Sequence, residues 1–172
     1  MSDEETVIDG FLAAGHVCTI MGTEEYYPIA KKYNIPLVVT GFEPLDILQG
    51  ILMVIKQLET GKAEVENQYA RVVKAEGNLN AKEVISKVFK VQDQMWRGID
   101  VIPNSGWGIS DEFAAFDAEK KYPLETVQAE ENKECIAGAI MKGIKKPNEC
   151  QHFGKKCTPQ NPLGAPMVSS EG

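Results

Sequence analysis

Three of the four cysteines in this sequence, Cys135, Cys150 and Cys157, fall in its last 38 residues. Thiolates are soft donors that bind zinc and iron–sulfur clusters strongly, so three of them close together point to metal chemistry. Their spacing is Cys-x14-Cys-x6-Cys, without the Cys-x-x-Cys pairs of common zinc knuckles. A cubane cluster ordinarily takes four cysteines. His152, between the second and third, would complete a Cys3His zinc set. The alternative is that all three are ordinary reduced thiols, buried or at the surface.

The amino-terminal half offers weaker candidates. Gly10 and Gly15 have the Gly-x4-Gly spacing of a phosphate-binding loop, but no Lys-Ser/Thr follows, which argues against a nucleoside-triphosphate site. His16 follows a predicted strand, where either a functional imidazole or a structural loop histidine would sit. Glu43 and Asp46 flank Pro44 at the start of a predicted helix, in the positive field of its N-terminus. They either cap that helix or face a cleft across from His16 and take part in proton transfer. Cys18 lies near His16 in sequence and would be an activated thiol only if the two side chains meet.

Composition narrows the function classes. The 172 residues carry 18 Lys and Arg against 25 Asp and Glu, a net charge of −7 and a pI near 4.9. No basic stripe is available to neutralise phosphates, so nucleic acid and a basic membrane-surface role are disfavoured. The opening Met-Ser-Asp-Glu-Glu is acidic where a signal peptide is basic and then apolar. No window approaches the roughly 20 apolar residues of a membrane span. A soluble cytoplasmic protein is expected. At 43% hydrophobic it has material for a core.

The elements that must position these residues read as α/β up to residue 130. A strand is expected over Val7–Leu12, then a loop at Ala14-Gly15-His16. A helix follows over 24–33, with Thr23 as its cap. Ile35–Thr40 reads as a buried strand with Pro36 at its entrance. Next, Leu45, Leu48, Ile51, Leu52, Ile55 and Leu58 repeat at three-to-four spacing and predict one buried helix face, started by Pro44 and stopped by Gly61. Strand, tight turn and amphipathic helix make the βα unit of a parallel sheet, whose sites collect at the carboxyl ends of the strands. Val65–Val73 is ambiguous. A helix from Asn80, with a Glu83 capping box and a Leu79–Val84 staple, buries Val84, Ile85, Val88 and Phe89. Gly98–Ile102 reads as a strand ending in a Pro103–Gly106 turn, and Ser110 caps a helix running to about Tyr122. Trp96 and Trp107 are expected in the core. Residues 131–172 lack periodicity and need a staple, for which a metal is the economical choice.

Nine stretches carry a resemblance. They are Gly15-His16-Val17, the run Gly41-Phe-Glu-Pro-Leu-Asp-Ile-Leu48, Ala63-Glu-Val-Glu-Asn-Gln-Tyr69, Trp96-Arg-Gly98, Val101-Ile-Pro-Asn-Ser-Gly106, Glu134-Cys-Ile-Ala-Gly138, Phe153-Gly154, Cys157-Thr-Pro159 and Met167-Val-Ser-Ser-Glu-Gly172. In order, and with the cysteine spacing, they resemble the hydrogenase maturation factor family HypD.

The resemblance implies a cytoplasmic assembly scaffold that works with a small HypC-like chaperone and a HypE-like cyanide donor. On it the iron of a nickel–iron hydrogenase acquires cyanide and carbon monoxide, becoming the Fe(CN)2CO centre. It implies two similar α/β domains and a region holding a [4Fe–4S] cluster, with Cys135, Cys150 and Cys157 as the first three ligands. His16, Glu43 and Asp46 would line the cleft between the α/β domains, near the site of iron assembly. In the family the fourth ligand follows after 16 residues, which would fall two positions past Gly172. The family's amino-terminal domain, with its Cys-Gly-Thr-His and Cys-Pro-x-Cys motifs, is not matched. The expectation is therefore a carboxyl-terminal portion of a HypD-like factor. Residues 1–130 would be an α/β domain and 131–172 an incomplete cluster-binding region. It would act as scaffold and electron donor more than as a turnover enzyme, and would not assemble the iron centre by itself. The rival reading is a zinc-stapled interaction module using Cys135, Cys150, His152 and Cys157.

Overall fold

The computed structural model describes residues 5–96, 100–122 and 132–168. The chain divides into two compact units, one built on Ile8–Ser86 and the other on Lys87–Gly172 joined by Ser2–Val7. The expected boundary between residues 130 and 131 lies outside the described residues.

The first unit is organised by a parallel sheet of three strands, β1 (Phe11–Ala14), β2 (Leu37–Thr40) and β3 (Val65–Asn67), in that spatial order. Phe11 pairs with Leu37, and Leu37 with Val65. All four residues of β2 are buried, as a continuous apolar run in a doubly covered sheet should be. On one face Leu37 and Val39 join Cys18 and Val73, with Phe11, Tyr26, Val65 and Tyr69 packed around them. Helices α1 (Gly15–Met21) and α2 (Tyr26–Tyr33) cover that side, Cys18 coming from α1 and Tyr26 from α2. The other face meets α3 (Pro44–Glu59), which comes close because Gly50 has no side chain: a Cβ there would run into Thr40 and stand 3.2 Å from Leu12. The mixed α/β class is as expected.

The buried face of α3 is not the expected one. Leu45, Leu48, Ile51, Leu52, Ile55 and Leu58 are 41–64% exposed, and the buried positions are Asp46, Gly50 and Gln57. Hydrogen bonds choose this orientation. Gln57 Nε2 donates to Glu66 Oε1 at 2.6 Å and Gln57 Oε1 accepts the Glu64 N–H at 2.8 Å, locking the helix onto the approach to β3. Asp46 is anchored in the same way at the other end. A stripe's period says that one face is apolar, not what that face meets.

Other local expectations shift. The first strand starts at Phe11 rather than Val7, and His16 lies in the first turn of α1 instead of a loop. Thr23 is buried and caps α2 only through its carbonyl, which accepts the Tyr26 N–H at 3.1 Å. Helix α4 (Leu79–Val88) begins one residue early, and the Asn78 side chain, not a Glu83 box, accepts the Ala81 N–H at 3.1 Å. Leu79 and Val84, the expected staple, are 65% and 61% exposed.

In the second unit β4 (Phe89–Trp96) and β5 (Asp100–Ile109) form an antiparallel pair. Phe89 therefore opens a strand rather than closing a helix face. Pro103–Gly106 is not a turn either: it lies inside β5, at a register shift between Gln92 and Gln94. A bulge accommodates proline because it leaves ladder positions unpaired. There Asn104 takes φ 53° and donates its N–H to Asp93 Oδ1 at 2.9 Å. Residues 98 and 99 of the expected strand lie outside the described residues. Trp96 and Trp107 are 45% and 51% exposed, not core. The expected helix from Ser110 is a 3-10 turn (Asp111–Phe116) followed by the short α5 (Ala118–Lys121), capped by Asp117. Ser110 Oγ instead donates to the Lys87 carbonyl at 2.9 Å. Beyond residue 131 the described chain is mostly irregular, holding only α6 (Ala137–Met141) and two 3-10 turns.

The two faces of the sheet and the outer face of α3 should answer differently to truncation. In urea denaturation Leu37→Ala should lose about 2–5 kcal/mol, as buried large-to-small changes do. Leu48→Ala should stay within about 0.5 kcal/mol of the parent, as exposed substitutions do. Equal losses at the two positions would contradict the inward face assigned to α3.

Candidate functional site

The three parallel strands end together at Ala14, Thr40 and Asn67, and the next residues of each form the first candidate site. This is the edge at which parallel sheets place their sites. Gly15 and Gly41 are buried there. A Cβ on Gly15 would overlap the Thr40 carbonyl, and one on Gly41 the Asp46 carboxylate; both would crowd the Tyr69 ring. Glycine is thus required by close approach. The Arg71 guanidinium stands over Tyr69, 4.4 Å from the ring centroid, within cation–π range.

Asp46 is the hub of this edge. Its carboxylate accepts Arg71 Nη1 on Oδ1 at 2.8 Å and Nη2 on Oδ2 at 2.6 Å, a bidentate pair, and Gln68 Nε2 on Oδ1 at 2.8 Å. The Asp46 side chain is 6% exposed while that of Arg71 is 49% exposed. The Arg71 and then the Gln68 hydrogen bonds hold the Asp46 pKa down at about 2, and the same carboxylate raises that of Arg71. A carboxylate so bonded stays ionised at neutral pH and orients its partners. Gln68 extends the network, with Nε2 2.8 Å from Gln49 Oε1 and Oε1 accepting the Gly41 N–H at 3.4 Å.

The remaining candidates surround this hub. Glu43 Oε2 lies 3.5 Å from Arg71 Nη2 with its side chain 78% exposed. The exposed His16 packs on Phe42, ring centroids 4.9 Å apart. Among the described residues no hydrogen bond or ion pair joins His16 to Glu43 or Asp46. The structure brings Glu43 and Asp46 together through Arg71, which sequence reasoning had not singled out. No sequence signal marked Arg71, because only the fold puts Asp46 on the inner side of α3, where a carboxylate demands a cation. Cys18 does not meet His16. Its thiol is fully buried against the Tyr26 hydroxyl, 3.6 Å away, and burial pushes its pKa up, the opposite of an activated nucleophile.

The second candidate site is the cysteine segment. All four cysteines are free thiols. Residues 150–157 close a compact turn in which Phe153 N–H donates to the Cys150 carbonyl at 3.1 Å and Cys157 N–H to the His152 carbonyl at 2.9 Å. The chain then returns, so that Leu163 N–H donates to Cys157 Sγ at 3.4 Å. Gly164 follows, and a Cβ there would overlap Cys135 Sγ. One two-residue turn therefore touches two of the three thiols. A cavity of about 320 Å³ opens beside Cys135, walled by small residues including Gly138, Ala139, Gly164 and Ala165. His152 is 8% exposed, and its Nε2 has no aligned hydrogen bond although Glu134 Oε2 is 3.1 Å away. Among the described residues no three His, Cys, Asp or Glu side chains are already gathered closely enough to hold a metal ion. Soft donors and a cradle that a Cβ would fill fit a thiophilic metal or cluster. Such sites close as the metal binds, because nothing else draws thiolates together.

The Asp46–Arg71 pair has a readable pH signature. The folded-state pKa of Asp46, about 2, lies below the ordinary value of 3.8, so the unfolded chain binds more protons across that interval. The pair's stabilisation is complete above pH 4 or so and lost as pH falls toward 2. Acid titration of stability should show this loss in the parent and a flatter profile in Asp46→Asn. Parallel profiles in the two proteins would refute the assignment.

The sequence profile of the "Hydrogenase formation hypA family", HypD, matches residues 1–172. The chain is 48% identical over 166 residues to the hydrogenase maturation factor HypD of Azotobacter vinelandii, covering 96% of this chain and 44% of that protein. It is 49% identical over 166 residues to the hydrogenase expression/formation protein HupD of Azotobacter chroococcum, with the same coverage. It is also 43% identical over 170 residues to a putative hydrogenase expression/formation protein of Methanocaldococcus jannaschii, covering 99% of this chain and 48% of that one. The chain thus spans somewhat less than half the length of these relatives. With its profile matched from the first residue to the last, the chain belongs to the HypD family.

Proposed function

We propose that this chain serves hydrogenase maturation, as part of a cytoplasmic scaffold on which the iron of a nickel–iron site receives cyanide and carbon monoxide. The reading is supported by the family match over residues 1–172 and by the names of the relatives. The partners it requires are a HypC-like chaperone and a HypE-like cyanide donor. The incoming iron is cargo. Among the described residues no helix is long and apolar enough to cross a membrane.

In this reading residues 131–172 are the cluster-binding region. Cys135, Cys150 and Cys157 supply thiolates to a [4Fe–4S] cluster, with one further ligand. When bound, the cluster would supply single electrons for the assembly reaction. The supporting observation is that the Leu163–Gly164 turn contacts the sulfurs of Cys157 and Cys135 at once. At the strand edge Asp46 orients Arg71 as a fixed cation facing the site. Glu43 and His16, both exposed, are the groups there able to hold or move a proton at Oε and at the imidazole nitrogens.

The test is metal and sulfide content after anaerobic purification and reconstitution with iron and sulfide. Iron with inorganic sulfide is expected in the chain extended through the fourth ligand position, and Cys150→Ser there should lose both. Stoichiometric zinc without sulfide would sink the cluster reading. That result favours the second reading, a Cys3His zinc staple, for which the buried and unaligned His152 Nε2 speaks. His152→Ala separates the two, since it should release zinc yet leave a cysteine-held cluster in place.

A further inference from the structure

The geometry points to Leu163 and Gly164 as positioning residues that hold the Cys157 and Cys135 thiolates for metal. The inference deepens the cluster reading above and rests on it for the identity of the metal, but not for the placement of the sulfurs. Gly164 carries the argument. It is buried and is not among the glycines with positive φ, so its backbone conformation would suit any residue. What excludes a side chain is space, because the first atom of one would fall on Cys135 Sγ. The glycine is explained by the sulfur beside it.

Leu163 is brought to Cys157 by a built return. Thr158 and Asn161 exchange backbone hydrogen bonds at 3.3 and 2.9 Å, and Asn161 Nδ2 donates to the Lys156 carbonyl at 2.7 Å. Beyond the turn, Met167 N–H donates to the Gly164 carbonyl at 3.1 Å, fixing it on the following 3-10 turn, Ala165–Val168. The turn is therefore held from both sides, with the Leu163 N–H on Cys157 Sγ at 3.4 Å. An amide donated to a cluster sulfur raises the reduction potential by stabilising the more negative, reduced state.

The metal-free arm of the experiment uses the 172-residue chain. In metal-free protein, Gly164→Ala should shift the urea midpoint down. It should also speed iodoacetamide alkylation of Cys135 about tenfold, the population factor that overpacking strain produces. A double-mutant cycle with Cys135→Ala should abolish the midpoint shift, because the methyl then has the vacated space. An undiminished shift in that background, or unchanged alkylation, overturns the role of Gly164. In the reconstituted extended chain Leu163→Pro, which removes the N–H donor, should lower the midpoint potential in an EPR-monitored titration, whereas Leu163→Ala, which keeps the N–H, should leave it in place. An unmoved potential in Leu163→Pro overturns the role of Leu163. Failure of the extended chain to take up iron and sulfide would refute the cluster reading, while the metal-free cycle would still decide the placement of Cys135.

Discussion

Burial of β2 on both faces is the constraint from which the first unit follows. A four-residue strand of Leu, Val, Val and Thr with no exposed side requires a neighbour on each edge and a helix layer on each face. The chain supplies β1 and β3 in parallel at the edges, α1 and α2 on one side and α3 on the other. Because the strands are parallel, all three end at one edge. The backbone leaving them there is crowded enough to demand Gly15 and Gly41.

At that crowded edge the carboxylate of an ion pair is buried while its guanidinium partner stays half exposed. Asp46 enters the protein on the inner side of α3, where an uncompensated carboxylate would be costly to bury. Arg71, reaching from beyond β3, meets both of its oxygens, and Gln68 meets one of them again. The pair stitches helix to sheet and at the same time leaves the Arg71 side chain half exposed beside Glu43. Orientation of α3 and construction of the site are thus one event. Its consequence is that the helix turns six large apolar side chains outward.

The cysteine segment obeys a different rule. It has little regular structure, and its order comes from short backbone bonds and from two close approaches to sulfur. Where a core cannot form, short polar contacts set the path of the backbone. His152 Nε2 is buried 3.1 Å from Glu134 Oε2, and Gly164 leaves room for the Cys135 sulfur.

Legible in the sequence alone were the α/β class, the buried strand at 37–40, the helix after Pro44 and the family. All of these are written in local pattern: a continuous apolar run, a proline at a helix start, and ordered motifs. It also pointed to Cys135, Cys150, Cys157, His16, Glu43 and Asp46 as residue types able to do chemistry. Only the tertiary structure decided which face of α3 turns inward, since Gln57 and Asp46 find partners that lie in β3 and beyond. It alone added Arg71 and Gln68 to the site, separated Cys18 from His16, and ran β5 through Pro103. The physical reason is the same each time. Periodicity reports a preference for burial, whereas hydrogen-bond partners distant in sequence select among the ways of satisfying it.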